Sequence, residues 1–249
     1  MDKKLITKAN NPDINYIFFD YYDTVIHRRV HPLQPFIMWA KQIKQEFGLM
    51  ISSKDLYSLR RKSMHLLSAA LGVSESEISY EKVIRKIYET LIESEAINRK
   101  TSFELFLEKS FEADYQSESS IQYVNKKTLD TLKFLKKEGY KIYCVSDFHS
   151  DEVFMKRLLS FHGIDRFYDK VFVSAAQNAS KENKGRIFKV ILEKERISPK
   201  EVLMVGDNPK SDVEHAKLHG IESHYLKRNW YKMRQKLQFI IFSLRFNFI

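Results

Sequence analysis

Residues 16–24 read YIFFDYYDT, four apolar or aromatic residues followed directly by a polar turn. An apolar run of this length, bounded by turn residues and rich in aromatic and β-branched side chains, is typical of a buried β-strand. Four similar runs follow later in the chain. They lie at Lys141–Val145, Lys170–Val173, Val202–Val205 and, in a shorter form, Ser223–Leu226. The sequence therefore predicts five buried strands.

Helical patterns separate the later strands. Residues Glu152–His162 and Gly185–Glu195 each carry apolar side chains at the spacing of one helix face. Strands that alternate with helices form a parallel sheet that is covered on both faces. We therefore predict an α/β fold built on a Rossmann-like parallel sheet.

The region from about residue 33 to residue 129 differs from the rest, because it contains no strand-like run between turn residues. Amphipathic helices are predicted there instead, at Pro35–Phe47, Lys54–Leu71, Tyr80–Ile92 and Ser102–Tyr115. A further helix, Thr128–Lys137, leads into the second strand. We therefore predict that an all-helical insertion interrupts the sheet after its first strand. The expected boundaries are 1–27 and 130–226 for the α/β core, 28–129 for the insertion and 227–249 for a C-terminal tail.

The composition excludes several classes of protein. Hydrophobic residues make up 43% of the 249 residues, which excludes a wholly disordered chain. The single cysteine, Cys144, can form neither an intramolecular disulfide nor a zinc cluster, and its apolar neighbours favour a buried thiol. No run reaches the roughly 20 apolar residues of a membrane-spanning helix, and the first residues lack the pattern of a secretory signal. A cytoplasmic location is therefore expected.

The net charge of +10 is concentrated near the C-terminal end. Residues 227–249 contain six basic and no acidic residues, and no nucleic-acid-binding module is recognisable, so nucleic acid is not an expected partner. Apolar residues of this tail share one helix face: Trp230, Met233, Leu237, Ile240, Ile241 and Leu244. Two interpretations stay open. The tail is either a terminal helix packed on the core, or an interfacial helix that meets anionic lipid or a partner protein.

Polar residues follow the ends of three predicted strands. Asp20 follows the first strand, Ser146 the second and Asp207 the fourth. Because ligands bind at the carboxyl ends of parallel strands, these side chains are expected to meet at one edge of the sheet. Lys181 and Lys184 precede the helix between the third and fourth strands. A carboxylate, a hydroxyl, an amine and further carboxylates are the groups that phosphoryl chemistry uses.

The order and spacing of these residues resemble the haloacid dehalogenase (HAD) superfamily. Its motifs are an Asp after the first strand, a Ser or Thr after the second, a Lys, and an acidic pair after the fourth. The resemblance covers residues 15–27 and 130–226, and the helical insertion lies where that superfamily carries a helical cap. The motifs are also similar to those of a HAD branch associated with surface-polysaccharide glycosyltransferases. This similarity makes a glycosyltransferase a candidate partner of the tail, beside the inner membrane face that the basic amphipathic pattern of the tail indicates.

The resemblance implies a role for each motif residue. Asp20 would be the nucleophile that forms an aspartyl-phosphate, Thr24 would steady its turn, and Ser146 would hold a phosphoryl oxygen. The preferred motif lysine is Lys184, whose distance from the fourth strand is used in some HAD branches. Lys181 is the alternative.

The resemblance also implies a metal site and a substrate site. Tyr22 and Asp147 are candidate substrate-binding residues, and His149, just beyond the second motif, is a further candidate contact. The implied cofactor is Mg²⁺, with a small phosphorylated molecule as substrate. The implied metal ligands are Asp20, Asp207, Asp212 and the backbone carbonyl of Tyr22.

Tyr22 departs from the common pattern, because most HAD phosphatases carry a second Asp there as general acid and base. Without it, protonation of a poor leaving group should be slow, since general acid catalysis contributes about 10²–10⁴-fold. Three functions are therefore considered. The first is an Mg²⁺-dependent phosphohydrolase or phosphotransferase for a small organic phosphate, such as a sugar phosphate. The second is a weakly active or non-catalytic module that binds a phosphorylated ligand or a glycosyltransferase. The third is a metal-free haloacid dehalogenase, against which Asp207 argues.

Overall fold

The computed structural model describes residues 1–227 and 229–246 and contains a five-stranded parallel sheet. Its strands are, in spatial order, β5 (Lys170–Val173), β4 (Lys141–Ser146), β1 (Tyr16–Phe19), β6 (Val202–Gly206) and β7 (Glu222–Tyr225). These strands overlap the five apolar runs of the sequence. The predicted parallel α/β fold is therefore confirmed.

Helices cover both faces of the sheet, so the strands are apolar on both sides. In β1, Phe18 packs in one cluster with Phe188, while Phe19 packs in the opposite cluster with Leu132. The helices of this core are α1 (Lys3–Ala9), α6 (Lys126–Lys137), α7 (Glu152–Phe161), α8 (Ser174–Gln177), α9 (Arg186–Glu195) and α10 (His215–Leu218). The sequence did not indicate α1, a seven-residue helix that buries Leu5 and begins at Asp2, whose carboxylate caps it.

The insertion forms a helical cap with a hydrophobic core of its own. It consists of α2 (Gln34–Phe47), α3 (Ser53–Leu71), α4 (Tyr80–Glu93) and α5 (Phe103–Ile121). Trp39 and Phe106 are fully buried between these helices. A buried ion pair joins Arg60 to Asp114 at 2.8 Å, and the Tyr80 hydroxyl donates to the same carboxylate at 2.7 Å. The cap is thus held together independently of the sheet.

The expectation that the insertion contains only helices is wrong at its base. The strands β2 (Ile26–Arg28) and β3 (Gln122–Val124) form an antiparallel ribbon where the chain leaves and re-enters the core. The two crossing segments run side by side, and pairing their backbone groups satisfies N–H and C=O groups that would otherwise be buried without partners. The ribbon therefore spans the boundary predicted at residue 27, and α6 spans the one predicted at residue 129.

The tail forms the helix α11 (Asn229–Phe246), and its described contacts with the rest of the protein, made by Gln238, Phe239 and Phe242, lie on one side. Phe242 is buried in the cap cluster, and the rings of Phe239 and Phe242 contact the ring of His31. The side chain of Trp230 lies outside the described residues. The other predicted apolar positions are each more than half exposed: Met233, Leu237, Ile240, Ile241 and Leu244.

In the part of the chain that the structure describes, no helix combines the length and the apolar character that crossing a membrane requires.

Candidate active site

Asp20 lies at the carboxyl end of β1, the central strand of the sheet. Its amide donates to the carbonyl of Val205 at 2.9 Å, which continues the pairing with β6 by one residue. The next turn folds back on the carboxylate, and Thr24 Oγ1 donates to Asp20 Oδ2 at 3.1 Å. Asp23 has a φ of 57°, a left-handed conformation that Asp tolerates better than most residues. Thr24 therefore fixes the orientation of Asp20.

The segment after β6 brings two more carboxylates to Asp20. Asn208 caps a π-helical turn, Pro209–Glu214, which returns Asp212 to the strand end. Residue 206 must be glycine, because a Cβ there would be 2.1 Å from Asp212 Oδ2. The oxygens that lie within 4.8 Å of one another belong to Asp20, Asp207 and Asp212.

The ammonium group of Lys181 lies between two of these carboxylates. Its Nζ is 2.6 Å from Asp20 Oδ1 and 2.7 Å from Asp212 Oδ1. The residue is only 3% exposed. The carboxylates of Asp20 and Asp212 raise the pKa of Lys181 well above its usual value, although burial opposes this shift. Lys181 therefore remains protonated and supplies a fixed positive charge at the site.

The structure places Lys181, the alternative of the two lysines, against Asp20, and not the preferred Lys184. Lys184 is exposed, and its carbonyl accepts from His219 Nε2 at 2.8 Å. Its φ of 50° makes a tight bend directly before Gly185, whose own φ is 69°. Lys184 and Gly185 both have left-handed backbone conformations and turn the chain here. The side chain of Lys181, three positions before Lys184, therefore points to Asp20. Spacing along the chain could not distinguish the two lysines, because the distinction depends on this bend.

The three carboxylates outnumber the single ammonium among the described side chains of this cluster. Burial raises the pKa of Asp20 well above its usual value, the charges of Asp212 and Asp207 add to the rise, and Lys181 opposes it. A further positive charge would offset this excess of negative charge. The donor set of carboxylate oxygens fits a hard divalent cation.

Asp147, a predicted substrate-binding residue, holds the lysine loop with both of its carboxylate oxygens. Its Oδ1 accepts from the amide of Lys181 at 2.8 Å, and its Oδ2 accepts from the amide of Glu182 at 3.0 Å. Burial raises the pKa of Asp147 to about 6, while Lys181 and the two amides oppose the shift. Asp147 thus links the end of β4 to the loop that carries the ammonium.

Ser146 is fully buried at the end of β4, and its Oγ has no hydrogen-bond partner. A buried hydroxyl without a partner is costly and rare in folded proteins. It is therefore a natural position for an oxygen of a bound ligand. Of the sequence-predicted residues, the structure brings Asp20, Thr24, Lys181, Asp207 and Asp212 into contact or close approach.

Aromatic residues flank the turn after Asp20. The guanidinium of Arg28 lies 3.5 Å from the centre of the Tyr22 ring, and the ring of Phe148 lies 5.2 Å away on another side. The ring of His149 contacts the ring of Phe148 in a tilted arrangement, with centroids 4.1 Å apart, and lies 4.9 Å from the ring of Phe36 in the cap. Burial and nearby arginines lower the pKa of His149 well below its usual value, so the ring is neutral, and its buried Nε2 has no partner. Tyr22 and His149 thus line the contact between core and cap.

Sequence reasoning missed one further residue near the site, Glu77 of the cap. Its carboxylate accepts hydrogen bonds from Ser180, 103 positions away, next to Lys181. Glu77 is the buried acid of a half-buried polar turn, and burial is not visible in the sequence.

Comparison with known proteins agrees with this geometry. A family model described as haloacid dehalogenase-like hydrolase matches residues 14–220. The chain is 33% identical over 101 residues to the glyceraldehyde 3-phosphate phosphatase of Pyrococcus furiosus, a match that spans 41% of each protein.

Two solved structures share the fold. One is the 2-haloacid dehalogenase of Pseudomonas syringae pv. tomato DC3000, with a TM-score of 0.62, 14% identity, and coverage of 85% of this chain and 86% of that one. The other is a HAD phosphatase of Thermococcus onnurineus, with a TM-score of 0.50, 22% identity, and coverage of 87% and 88%. Because the family model covers most of the chain, including the carboxylate cluster and the lysine, this protein belongs to the haloacid dehalogenase-like hydrolases.

Proposed function

We propose that this protein is an Mg²⁺-dependent phosphohydrolase or phosphotransferase that acts on a small organic phosphate through an aspartyl-phosphate. The observation that carries the proposal is the Lys181 ammonium between Asp20 and Asp212, with the unpartnered hydroxyl of Ser146 at the end of the strand next to β1. A nucleophile, a positive charge and a hydroxyl for one phosphoryl oxygen therefore lie at one strand edge. The similarity to a glyceraldehyde 3-phosphate phosphatase supports a small phosphorylated substrate, such as a sugar phosphate.

In the proposed reaction, an oxygen of Asp20 attacks the phosphorus atom of the substrate. The bond from phosphorus to the ester oxygen breaks, and the leaving alkoxide takes a proton from solvent water to become an alcohol. Water, or the hydroxyl of an acceptor in a phosphotransferase, then attacks the phosphorus of the aspartyl-phosphate. This second step releases phosphate or the transferred product and restores the Asp20 carboxylate.

The surrounding residues bind and orient the phosphoryl group. Lys181 offsets the charge of the phosphoryl oxygens, Ser146 donates to one of them, and Thr24 keeps the Asp20 carboxylate in place. The proposed Mg²⁺ ligands are Asp20, Asp207, Asp212 and the Tyr22 backbone carbonyl, a set of oxygen donors that fits this ion. When bound, the ion would supply further positive charge for the phosphoryl oxygens.

Leaving-group chemistry defines a first prediction. Replacing Tyr22 with Asp should raise turnover of alkyl phosphates about tenfold or more over Tyr22→Asn, because only Asp can donate a proton to the leaving oxygen. Both variants remove the same ring, which packs against Arg28 and Phe148, so they should lose similar stability, about 2–4 kcal/mol. The ratio of the turnover rates of the two variants therefore does not include the effect of losing the ring.

Initial rates on matched alkyl and aryl phosphates measure this prediction. Aryl phosphates need little proton donation, so on them the two variants should have nearly equal rates. Equal rates on both substrate types would mean that residue 22 does not face the leaving group. A panel of phosphorylated metabolites, assayed with and without Mg²⁺, tests the function itself. If the protein binds a phosphorylated compound but turns over none of them, a non-catalytic module is favoured. If turnover is the same with and without Mg²⁺, the metal assignment is contradicted.

We propose that the tail helix α11 contacts an anionic membrane surface. Its apolar stripe of Met233, Leu237, Ile240, Ile241 and Leu244 faces away from the side that holds Phe242 in the cap, because a rotation of about 100° per residue places Phe242 across the helix from the middle of the stripe. Exposed basic residues, Arg234 and Lys236, flank the stripe on its two sides. Apolar side chains between basic ones are typical of a helix that lies in a lipid interface. The implied glycosyltransferase contact stays a prediction.

Vesicle binding defines a second prediction. The protein should sediment with phosphatidylserine-containing vesicles at low salt, because each basic residue near such a surface contributes about 1 kcal/mol. Binding should fall steeply in 1 M salt, where the Debye length is about 3 Å. The exposed-site variant Leu237→Glu/Ile241→Glu should lose binding and keep its melting temperature. If the wild-type protein does not bind anionic vesicles at low salt, the proposed membrane contact is contradicted, and the apolar stripe serves another partner.

A further inference from the structure

A buried carboxylate of the cap reaches the loop that carries Lys181. Glu77 ends a single 3₁₀ turn, Glu75–Glu77, and its side chain is fully buried. Its Oε1 accepts from the amide and from the hydroxyl of Ser180, each at 2.8 Å. Ser180 directly precedes Lys181, so one carboxylate of the cap fixes the backbone next to the ammonium that contacts Asp20.

Other contacts join the same turn of the cap to the core. Ser74 Oγ is 3.1 Å from Ser180 Oγ, and Ser174 Oγ donates to the carbonyl of Ser76 at 2.6 Å. The second oxygen of Glu77 is 3.5 Å from Arg186, a longer and half-exposed pair. The strongest of these contacts therefore converge on Ser180 and on the end of β5.

The core holds the lysine loop from its other side. Asp147 accepts from the amide of Lys181, as described above, and His215 Nδ1 lies 2.6 Å from the carbonyl of Lys181. The loop is thus fixed by the core at Lys181 and by the cap at Ser180. Of the contacts to Ser180 and Lys181 named here, those from Glu77 and Ser74 depend on where the cap lies, and the two from Glu77 are the shorter ones.

The site is closed in this arrangement. Asp20 is 7% exposed, and Ser146 and Lys181 are buried. A phosphorylated substrate needs room at these groups, and a movement of the cap away from the sheet would provide it. Such a movement separates Glu77 from Ser180 and leaves the amide of Ser180 without its acceptor, which frees one side of the lysine loop.

We propose that Glu77 is a positioning residue that couples closure of the cap to placement of Lys181. When the cap closes, the carboxylate binds Ser180 and holds the loop so that the ammonium lies against Asp20. When the cap opens, the loop relaxes and Lys181 loses its fixed position. The consequence for turnover rests on the proposed phosphatase function, whereas the consequence for the loop does not.

Lysine labelling tests the effect on the loop without any substrate. The folded protein is treated with a small amine-acylating reagent, and the modification of each lysine is followed by mass spectrometry. Lys181 should be protected in the wild type. In Glu77→Ala its labelling rate should rise about tenfold or more, since one hydrogen bond to a charged group shifts an equilibrium by that order. Lys189, which is 69% exposed on α9, should label equally in both proteins.

Two matched variants separate a positioning role from general loss of stability. Glu77→Gln keeps an oxygen that can accept from Ser180, so protection of Lys181 should return. Glu75→Ala removes a carboxylate from the same turn, but one that pairs with Arg61 within the cap at 2.9 Å, so Lys181 should stay protected. Unchanged labelling of Lys181 in a folded Glu77→Ala protein overturns the proposal.

Kinetics test the effect on turnover. Glu77→Ala should lower kcat about tenfold or more and change KM little, because the ammonium acts on the phosphoryl group during reaction. Glu77→Gln should recover most of the wild-type kcat. If Glu75→Ala lowers kcat as much as Glu77→Ala does, the assignment of Glu77 is contradicted. If the wild type turns over no phosphorylated compound, the proposed function fails, and the labelling result still decides the role of Glu77.

A reversible lock provides a second measurement if Glu77→Ala fails to fold. The variant Ser74→Cys/Ser180→Cys places two thiols where the hydroxyls are 3.1 Å apart, and the native Cys144 is buried and cannot interfere. Oxidation should join cap to loop, suppress labelling of Lys181 below the reduced level and stop turnover. Reduction should restore both. Full turnover or unchanged labelling in the oxidised protein overturns the coupling.

Discussion

Replacing Asp20 with Asn is expected to abolish phosphate release, a loss of about 10⁴-fold or more, the scale on which enzymes lose rate when they lose their nucleophile. A neutral amide cannot attack phosphorus, and it is a weaker ligand for a divalent cation. The fold should survive. Burial and the charges of Asp212 and Asp207 raise the pKa of Asp20, so the ionised carboxylate carries a cost in the folded protein, and in Asp20→Asn the Lys181 ammonium keeps Asp212 as its partner. A neutral side chain of the same shape should therefore leave the melting temperature unchanged or raise it.

Initial rates with the best substrate of a metabolite panel, measured in Mg²⁺, check this expectation together with a thermal melt. Asp13→Asn is a matched control, because Asp13 is an exposed acid in the loop before β1. It should keep the wild-type rate. If Asp20→Asn keeps more than about a tenth of the rate, covalent catalysis by this residue is excluded. Loss of the fold in Asp20→Asn would show that the Asp20–Lys181 pair stabilises the core more than its burial costs.

The sheet and its carboxylates could be predicted from the sequence, because both follow from local rules. A short apolar run predicts a buried strand, and a parallel sheet brings the residue after each strand to the same edge. Asp20 and Asp207 therefore meet without any knowledge of the loops. The β2–β3 ribbon escaped prediction, since each strand has only three residues and pairs only because the chain passes there twice.

The contacts that orient the site could not be predicted, because they join residues that are distant in sequence. Asp147 was expected to face a substrate, but its two oxygens accept from the backbone of the lysine loop 34 and 35 positions later. Glu77 reaches the same loop from the cap. Both contacts depend on burial and on loop conformation. A sequence pattern specifies which residue types are present, but not which amide a carboxylate will find.

The choice between the two lysines can be tested by a pair of substitutions. Lys181→Met should lower turnover about 10²–10³-fold, the usual cost of removing one fixed group that stabilises developing charge. Lys184→Met should leave turnover unchanged and the free energy of unfolding within about 0.5 kcal/mol, because Lys184 is exposed and Met has the same backbone preferences. Equal losses in both variants would contradict the assignment of Lys181.

Stability provides an independent measure of the same substitution. Lys181→Met leaves the carboxylates of Asp20 and Asp212 without their ammonium, and breaking a buried ion pair destabilises a protein by about 3–5 kcal/mol. The ammonium opposes the rise in the pKa of Asp20, so its removal raises that pKa further. The loss of unfolding free energy in Lys181→Met relative to the wild type should thus be largest at neutral pH. This loss should become smaller as the pH falls and the carboxylates take up protons. Added Mg²⁺ should raise the melting temperature of Lys181→Met more than that of the wild type, because the variant has no ammonium at the site to repel the cation. If the stability loss of Lys181→Met depends on neither pH nor Mg²⁺, Lys181 stabilises the protein by packing and not by its charge.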